Sequence, residues 1–339
     1  MVQNSKIEWT DHTFNLVIGC AKVSPGCASC YAETMNTRRG WAEWGKDGIR
    51  KVMSESYWKE PLKWNRKATE LGQRQRVFCS SLADVFEDHP TVNEQRLRLW
   101  ELIKQTPALD WQLLTKRPEN FKKFLPADWE NGYPNVMLGV SVEKFKQALI
   151  RIPELISTPA TKRFLSCEPL LADIDLAPIL FFHIEGGLNW VKPSEFRMDT
   201  ELEYPFEYLK LLFRVQMWKL RGGDSNLSSN KLSDFIHWVI VGGESGTRAR
   251  LCQINWIRNI VEDCKDLGIP VFVKQLGATT FSYSEEDYLY LTTPHDSKFS
   301  TFEAFPPDLQ IRQVVYCQEQ TKVTYAIECK SDEAETIVI

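Results

Sequence analysis

The sequence has 339 residues, enough for one large domain or two ordinary ones whose core needs no disulfide bonds. Hydrophobic residues make up 43% of the chain and charged residues 25%, which is typical of globular proteins and excludes a disordered chain. The sequence has no run of 18 apolar residues and no basic start followed by an apolar stretch. We therefore expect no membrane span and no secretory signal, and we predict a cytoplasmic protein.

The formal charge of −4 is unevenly distributed along the chain. Residues 1–277 carry 37 Lys and Arg against 34 Asp and Glu, whereas residues 278–339 carry 4 against 11. The first part is too weakly basic for its charge alone to indicate nucleic-acid binding. The change in charge predicts a boundary near residue 277, followed by an acidic extension.

Seven short apolar or β-branched runs predict the strands of a parallel sheet. Amphipathic stretches with helical spacing, such as 92–105 and 254–267, lie between them. Strands that alternate with helices indicate an α/β fold, here a complete or partial TIM-type parallel barrel, with an open doubly wound sheet as the alternative. The predicted strands are residues 14–18, 77–80, 111–114, 136–140, 163–165, 238–241 and 271–273.

Two regions depart from this alternation. Residues 182–234 separate the fifth and sixth predicted strands and contain two Gly-Gly pairs and a polar run, which predicts an insertion on the barrel rim. Residues 278–339 are rich in Tyr, Thr and Val and have little helical periodicity, as in 313–329. They predict a hairpin or a small antiparallel sheet. We therefore divide the chain into a barrel domain, 1–277, and a β-rich extension, 278–339.

Polar clusters follow six of the predicted strands. In parallel α/β folds the carboxyl ends of the strands meet at one edge, and ligands bind there. Six clusters in register therefore predict a functional site at this edge. The clusters are Ser80, Ser81 and Asp84; Thr115, Lys116 and Arg117; Ser141 and Glu143; Ser166 and Glu168; Gly242, Gly243, Glu244 and Ser245; and Lys274 and Gln275.

Three of the nine cysteines lie close together after the first predicted strand, as Cys20, Cys27 and Cys30. In a reducing compartment a metal or redox site is a better interpretation of such spacing than disulfides. Three thiolates can hold three irons of a [4Fe–4S] cluster and leave the fourth iron open to a small molecule. Zinc bound by the three cysteines with His12 or a distant residue, or a redox pair at Cys27 and Cys30, also fits the spacing.

The cysteine segment resembles the cluster loop of radical SAM enzymes. The carrying motifs are N-x3-G-C starting at Asn15 and G-C-x2-C-Y-A starting at Gly26. They are most similar to the branch of spore photoproduct lyase and related DNA-repair photolyase-like proteins. The family spacing is C-x3-C-x2-C, so three extra residues separate the first two cysteines here. Ser29 stands where an aromatic residue usually precedes the last cysteine.

The larger span 7–277 is identified as a member of a family of phage-derived proteins of unknown function with a three-cysteine motif. The resemblance supplies no measured activity. The segments that carry it are IEWTDHTFNLVIGCAKVSPGCASCYAE (7–33), LADVFE (82–87), LLTKRPEN (113–120), LGVSVE (138–143), RFLSCEPLL (163–171), WVIVGGESG (238–246) and VFVKQLG (271–277).

The radical SAM resemblance implies an enzyme with a [4Fe–4S] cluster that cleaves S-adenosylmethionine to start radical chemistry. It implies an electron donor such as a flavodoxin or ferredoxin, and a nucleic acid or modified nucleobase as the substrate. On this interpretation the cluster ligands are Cys20, Cys27 and Cys30. Cofactor-binding residues are Ser141, Glu143, Ser166, Gly242, Gly243 and Glu244. Catalytic residues are Glu168, Lys116 and Asp84, and substrate-binding residues are Arg117, Lys274 and Gln275.

Some of these residues also have a purely structural explanation. Glu143 is also explained as an acid at the start of a helix, and the Gly242–Gly243 pair as a tight turn. Tryptophans and basic residues alternate over 38–64, which fits either a nucleic-acid surface or an amphipathic cap. The alternative function is a zinc- or cluster-stabilised, phage-related module that recognises a partner without turnover.

Overall fold

A computed structural model of the chain describes residues 5–176, 233–283, 288–291 and 301–318. Seven strands form one parallel sheet in chain order, and six of them lie where the sequence predicts them. The first is displaced, because the sheet uses residues 12–14, whereas residues 17–18 of the predicted strand 14–18 pair with residues 51–52 in a separate sheet. The parallel sheet confirms the α/β barrel-type fold. The sheet consists of β1 (His12–Phe14), β4 (Gln75–Cys79), β5 (Leu109–Thr115), β6 (Val136–Ser141), β7 (Lys162–Cys167), β8 (Trp238–Gly242) and β10 (Val271–Gln275).

Helices connect these strands and cover the outer face of the sheet. They are α1 (Tyr31–Arg39), α2 (Glu55–Trp58), α3 (Glu60–Leu71), α4 (Pro90–Gln105), α5 (Phe121–Phe124), α6 (Phe145–Ser157) and α7 (Ile254–Asp266). The predicted helices 92–105 and 254–267 correspond to α4 and α7. Their buried residues recur at helical spacing and join the main apolar core. The chain leaves α7 through Gly268, whose φ of 65° suits glycine.

The sheet is curled into part of a barrel. Trp9 packs its ring 4.7 Å from Phe78 on β4 and 6.0 Å from Trp238 on β8, measured between centroids. Those two strands are four positions apart in the sheet, which is about 19 Å when the sheet is flat. One indole reaches both rings because the sheet bends around it. Between the described ends of the sheet, β1 and β10 are not paired, so the barrel is partial.

Residues 301–318 lie along the open side of this partial barrel. Val273 donates its backbone N–H to Ile311, and Gln313 donates to Val271, so the segment pairs with the edge of β10. It then crosses to the amino ends of the other strands, where the Cys317 N–H donates to Asp110 at 3.2 Å. The boundary predicted near residue 277 remains a prediction, although this stretch of the extension contacts the barrel directly.

Smaller sheets flank the barrel. β11 (Thr280–Tyr283) and β12 (Tyr288–Leu291) form an antiparallel hairpin, and β11 also pairs in parallel with β9 (Cys252–Gln253). β2 (Val17–Ile18) pairs with β3 (Lys51–Val52). Of the predicted β segment 313–329, residues 313–318 contain no strand and the rest lies outside the described residues. Nearly all of the predicted insertion 182–234 also lies outside them.

In the described part of the chain, no helix has the length and apolar character that crossing a membrane requires.

The inner aromatic cluster generates a stability prediction. Trp9 is 2% exposed and fills the centre of the curled sheet, so Trp9→Ala removes its contacts with the rings of several strands. We expect a loss of about 3–5 kcal/mol in the free energy of unfolding, measured by urea denaturation. Leu97→Ala, at a position that is 70% exposed, is the control and should change it by less than about 0.5 kcal/mol. Equal effects of the two substitutions would contradict the packing described here.

Candidate functional site

The three clustered cysteines lie on one loop, residues 19–30, which we call the cysteine loop. It starts after β2, contains a short 3-10 helix at Pro25–Cys27, and ends with Cys30 as the residue before α1. All three thiols are half-buried. The other five described cysteines are fully buried in the interior: Cys79, Cys167, Cys252, Cys264 and Cys317. The loop is therefore the one place in the described chain where several thiols reach the surface together.

The start of the loop requires glycine. Gly19 has a φ of 115°, and a Cβ atom there would lie 2.9 Å from Cδ of Arg50. Its N–H donates to the carbonyl of Leu82, beyond the end of β4. This close approach places the first cysteine directly above the carboxyl edge of the sheet.

Arg117 holds the Cys20 end of the loop. Its Nη1 lies 3.7 Å from Cys20 Sγ, and its Nη2 donates to the carbonyl of Ala21 at 2.6 Å. Arg117 follows β5 and is 6% exposed. Its guanidinium lies beneath the loop and donates to acceptors of the protein itself. It is therefore not exposed to solvent as the predicted substrate ligand would be.

Two carboxylates fix Arg117, and a second arginine completes the set. Asp84 Oδ2 accepts from Arg117 Nη1 at 2.9 Å, and Glu87 Oε1 lies 3.4 Å from Arg117 Nη2. Glu87 also accepts from the Ala21 N–H at 2.9 Å and from Arg50 Nη2 at 2.9 Å. These four side chains, which we call the loop clamp, form a continuous network of alternating charge under the cysteine loop.

Asp84 is fully occupied by donors. Besides Arg117 it accepts from the Thr115 hydroxyl at 2.7 Å and from two backbone N–H groups, those of Phe86 and Lys116. Burial by itself favours the neutral acid, but Arg117 and these donors outweigh it and hold the pKa of Asp84 below its usual range. A carboxylate with every acceptor position in use stabilises the clamp and has little capacity to exchange a proton with a ligand.

Glu143 holds the middle of the loop. Its Oε1 accepts from the Gly26 N–H at 3.2 Å, and a Cβ atom on Gly26 would lie 3.0 Å from this carboxylate. Arg151, on α6, donates to Glu143 Oε2 at 2.7 Å and to the carbonyl of Ser141. Burial favours the neutral acid, but the charges of Arg151 and Lys116 hold the pKa of Glu143 below its usual range.

Glu244 acts on the loop through Arg250. Its carboxylate accepts from Arg250 Nη2 at 2.6 Å and Nε at 2.9 Å, and Arg250 Nη1 donates to the carbonyl of Pro25 at 2.8 Å. Ser29 donates to the carbonyl of Arg248 at 3.4 Å. The segment after β8 thus binds the cysteine loop at Pro25 and Ser29, away from the clamp contacts at Cys20 and Ala21.

The two glycines after β8 allow the backbone there to approach the backbone at the end of β10. A Cβ atom on Gly243 would lie 2.3 Å from the carbonyl oxygen of Leu276, and one on Gly242 would lie 2.9 Å from that of Gln275. The Gly243 N–H donates to the Gln275 carbonyl, and the Gln275 side chain donates back to Gly243 at 2.6 Å. Gln275 and the two glycines therefore hold β8 and β10 together at their carboxyl ends.

Another group of the predicted residues lines the inner side of the barrel mouth. Lys116 Nζ lies 3.1 Å from the Ser141 hydroxyl, and Lys274 Nζ lies 3.0 Å from Glu168 Oε1. The Lys274 side chain is 21% exposed and that of Glu168 12%, so both remain open to a ligand. Ser166 is paired with Ser141 across β6 and β7. We call this group the mouth residues.

The sequence from residue 4 to residue 321 matches a family described as "protein of unknown function (DUF5131)". The chain belongs to this family. The match covers the described barrel and the whole of segment 301–318 along its open side. No curated protein matches the sequence.

Two solved structures resemble the DUF5131 chain remotely, and both are single-residue variants of spore photoproduct lyase. Each is 12% identical, covers 85% of this chain and 70% of the other, and gives a TM-score of 0.41. At this level the similarity carries no argument about activity.

The three thiols of the DUF5131 chain have the chemistry of metal ligands and share one loop, but their sulfur atoms are not arranged around one point. Burial raises the pKa of the Cys20 thiol to about 12, although Arg117 acts in the opposite direction. Burial also raises the pKa of Cys30, against the backbone N–H groups of Ala32 and Glu33 and the charge of Lys116. Over the described residues, no three His, Cys, Asp or Glu side chains form an arrangement that could hold a metal ion. Binding therefore requires the three sulfur atoms to draw together.

Some predicted associations do not occur in the structure. The His12 ring stacks on Trp64 at 4.3 Å and pairs with Gln75, at the amino end of the barrel, so it does not join the cysteines as a zinc ligand. In the aromatic and basic stretch 38–64, Trp58 and Trp64 are buried. Arg50 is buried as well and belongs to the clamp. A nucleic-acid surface here therefore cannot use these three side chains.

Sequence reasoning missed four residues that hold the loop. Arg50, Glu87, Arg151 and Arg250 were given no role of their own, yet each takes part in the ion pairs that support it. Glu87 had the strongest signal, because it lies in the segment 82–87 that carries the family resemblance.

Glu143 generates a pH prediction. Its pKa in the folded chain lies below the ordinary 4.5, so its ion pair contributes stability above that pH and loses it as the pH falls further. Glu143→Gln leaves Arg151 buried without its counter-charge, and we expect a loss of about 3–5 kcal/mol at pH 7. The difference from wild type should shrink as the pH falls below 4.5, measured by urea denaturation at several pH values. Glu119→Gln, at an exposed position, is the control, and a pH-independent difference for Glu143→Gln would contradict the assignment.

Proposed function

We propose that this protein is a radical SAM-type enzyme in which Cys20, Cys27 and Cys30 hold a [4Fe–4S] cluster. The observation that carries the proposal is the presence of three half-buried thiols on one loop above a mouth lined by Lys, Ser and Glu side chains. The cysteine spacing and motif supply the cofactor class, and a reducing cytoplasm suits such a centre. When bound, the cluster would supply the electron that cleaves S-adenosylmethionine and starts radical chemistry.

In this proposal the predicted site residues divide into two groups. Asp84, Arg117, Glu143 and Glu244 hold the cysteine loop, each through the contacts described above, and act as positioning residues. Of the mouth residues, Lys116, Glu168 and Lys274 keep some exposure and are those that meet the ligands, whereas Ser141 and Ser166 are each 1% exposed and are buried at the base of the mouth. Lys116 has the Ser141 hydroxyl as its partner and makes no ion pair with the described residues, so its charge is available to a carboxylate or phosphate.

Glu168 and Lys274 form the acidic and basic pair of the mouth. Both side chains keep some exposure, with Lys274 the more open of the two, so a ligand can approach the pair. We assign Glu168 the catalytic role and Lys274 a substrate contact. Gln275 and the Gly242–Gly243 turn support these two residues by joining β8 to β10.

The proposed substrate is a nucleic acid or a modified nucleobase. Tyr31 is 50% exposed directly after Cys30, and Arg39 stacks on the Trp41 ring at 4.8 Å on the same helix and its following turn. The exposed Tyr31 ring, and the half-buried Trp41 ring beside Arg39, provide stacking and charge for bases and phosphates. The proposal includes an external electron donor of the flavodoxin or ferredoxin type.

Metal analysis of anaerobically reconstituted protein tests the cluster. We expect iron and sulfide in near-equal amounts, absorbance near ~400 nm, and 5′-deoxyadenosine after reduction with S-adenosylmethionine. Replacing Cys20, Cys27 and Cys30 together by Ser should abolish all three signals, because serine hydroxyls are poor iron ligands. The matched control replaces Cys79, Cys252 and Cys264 by Ala and should retain them.

Stoichiometric zinc without iron after reconstitution would overturn the proposal. It would favour the zinc-stabilised recognition module instead.

Glu168→Gln tests the mouth separately from the cluster. The substitution removes the charge that pairs with Lys274 while leaving every contact of the cysteine loop in place. We expect unchanged iron content and at least about tenfold slower formation of 5′-deoxyadenosine, followed by chromatography. Glu119→Gln is again the exposed control. Loss of iron in Glu168→Gln would show that Glu168 supports the loop, in conflict with the division made here.

A further inference from the structure

Arg117 makes contacts that a simple structural ion pair does not need. One guanidinium nitrogen reaches the Cys20 sulfur at 3.7 Å and the other the adjacent carbonyl of Ala21 at 2.6 Å. The same side chain is held from below by Asp84 and Glu87. It thus connects the sulfur to the sheet by way of two carboxylates.

We propose that Arg117 is a positioning residue for Cys20, which fixes this sulfur and its loop end before any metal is present and donates an N–H to the sulfur once it is a ligand. The inference rests on the proposed function only for the metal step. It goes beyond that function by assigning Arg117 to the Cys20 end of the loop, which it holds in place before a metal binds.

Burial makes the clamp specific to arginine. Arg50, Glu87, Asp84 and Arg117 are each 3% to 6% exposed, and their two positive and two negative charges balance. A planar fork can satisfy a sulfur, a carbonyl and two carboxylates at once, whereas a lysine ammonium is one point charge on a flexible stem. Lysine at this position therefore keeps the charge and loses the geometry.

The contacts that hold the middle of the cysteine loop are separate from those that hold its Cys20 end. Glu143 and Arg250 bind Gly26 and Pro25, near Cys27, and neither touches Cys20 or Ala21. The clamp instead receives the Ala21 N–H at Glu87 Oε1, 2.9 Å away. The exchange rate of this one amide therefore reports the clamp alone.

Amide hydrogen exchange of the full chain, prepared without metal, tests the preformed end. In Arg117→Met we expect exchange at Ala21 to rise at least about tenfold, since its acceptor Glu87 loses one of two cations. Arg117→Lys should give an intermediate rise. The control is Arg76→Met, which breaks the pair between buried Arg76 and partly exposed Asp11 at the amino end of β4 and should leave Ala21 unchanged.

Cobalt(II) binding to the same proteins tests the sulfur contact. In Arg117→Met we expect the sulfur-to-cobalt charge-transfer absorbance per bound ion to fall by about one third, because Cys20 no longer contributes one of the three thiolates. A merely structural role would lower the amount of cobalt bound and leave the spectrum per ion unaltered. Arg76→Met should show the wild-type spectrum.

Unchanged exchange at Ala21 in Arg117→Met overturns the inference, and so does a full three-thiolate spectrum per bound ion. A wild-type protein without any thiolate–cobalt signal defeats the proposed metal centre, and the exchange at Ala21 then decides the role of Arg117 on its own.

Discussion

The buried ion pairs under the cysteine loop are the constraint on which the carboxyl edge depends. Charges taken out of water are tolerated only when each has a partner, and Arg50, Glu87, Arg117 and Asp84 meet this by alternating in sign. Removing one member leaves a neighbour uncompensated, so the four positions are coupled. The loop contributes backbone groups of its own to the network, through Ala21, and therefore cannot take up another position without breaking it.

The coupling among these buried ion pairs explains why residues of similar chemistry have different roles in the site. Lys116 and Arg117 are adjacent cations at the end of β5. Arg117 pairs with Asp84 in the loop clamp, whereas Lys116 contacts the Ser141 hydroxyl. Glu143 and Glu168 follow neighbouring strands, yet Glu143 is fully buried with Arg151 and Glu168 keeps contact with solvent beside Lys274. Burial decides which side chains hold the site and which can meet a ligand.

The strands and the location of the site could be predicted from the sequence because both follow from local pattern. β-branched runs specify strands such as β6, and parallel connections bring their polar ends to one edge. The roles of single residues in the site could not be predicted, because they depend on contacts between residues far apart in sequence. Gly26 meets Glu143 across 117 positions and Arg250 meets Pro25 across 225, and no spacing rule links them. The stretch 38–64 shows the same limit, since only the folded chain separates buried Arg50 from exposed Arg39.

The contents of the barrel determine the side from which a ligand can arrive. Trp9, Phe78, Phe164 and Trp238 fill the amino half, and Gly139 is required because a Cβ there would lie 2.3 Å from the Phe164 ring. Residues 301–318 cross the amino end, where the Trp238 indole donates to Gln313 and Cys317 to Asp110. Within the described chain the polar mouth therefore opens at the carboxyl edge, beside the cysteine loop. A group held by the three thiols would therefore lie at the same edge of the barrel as Lys116 and Glu168.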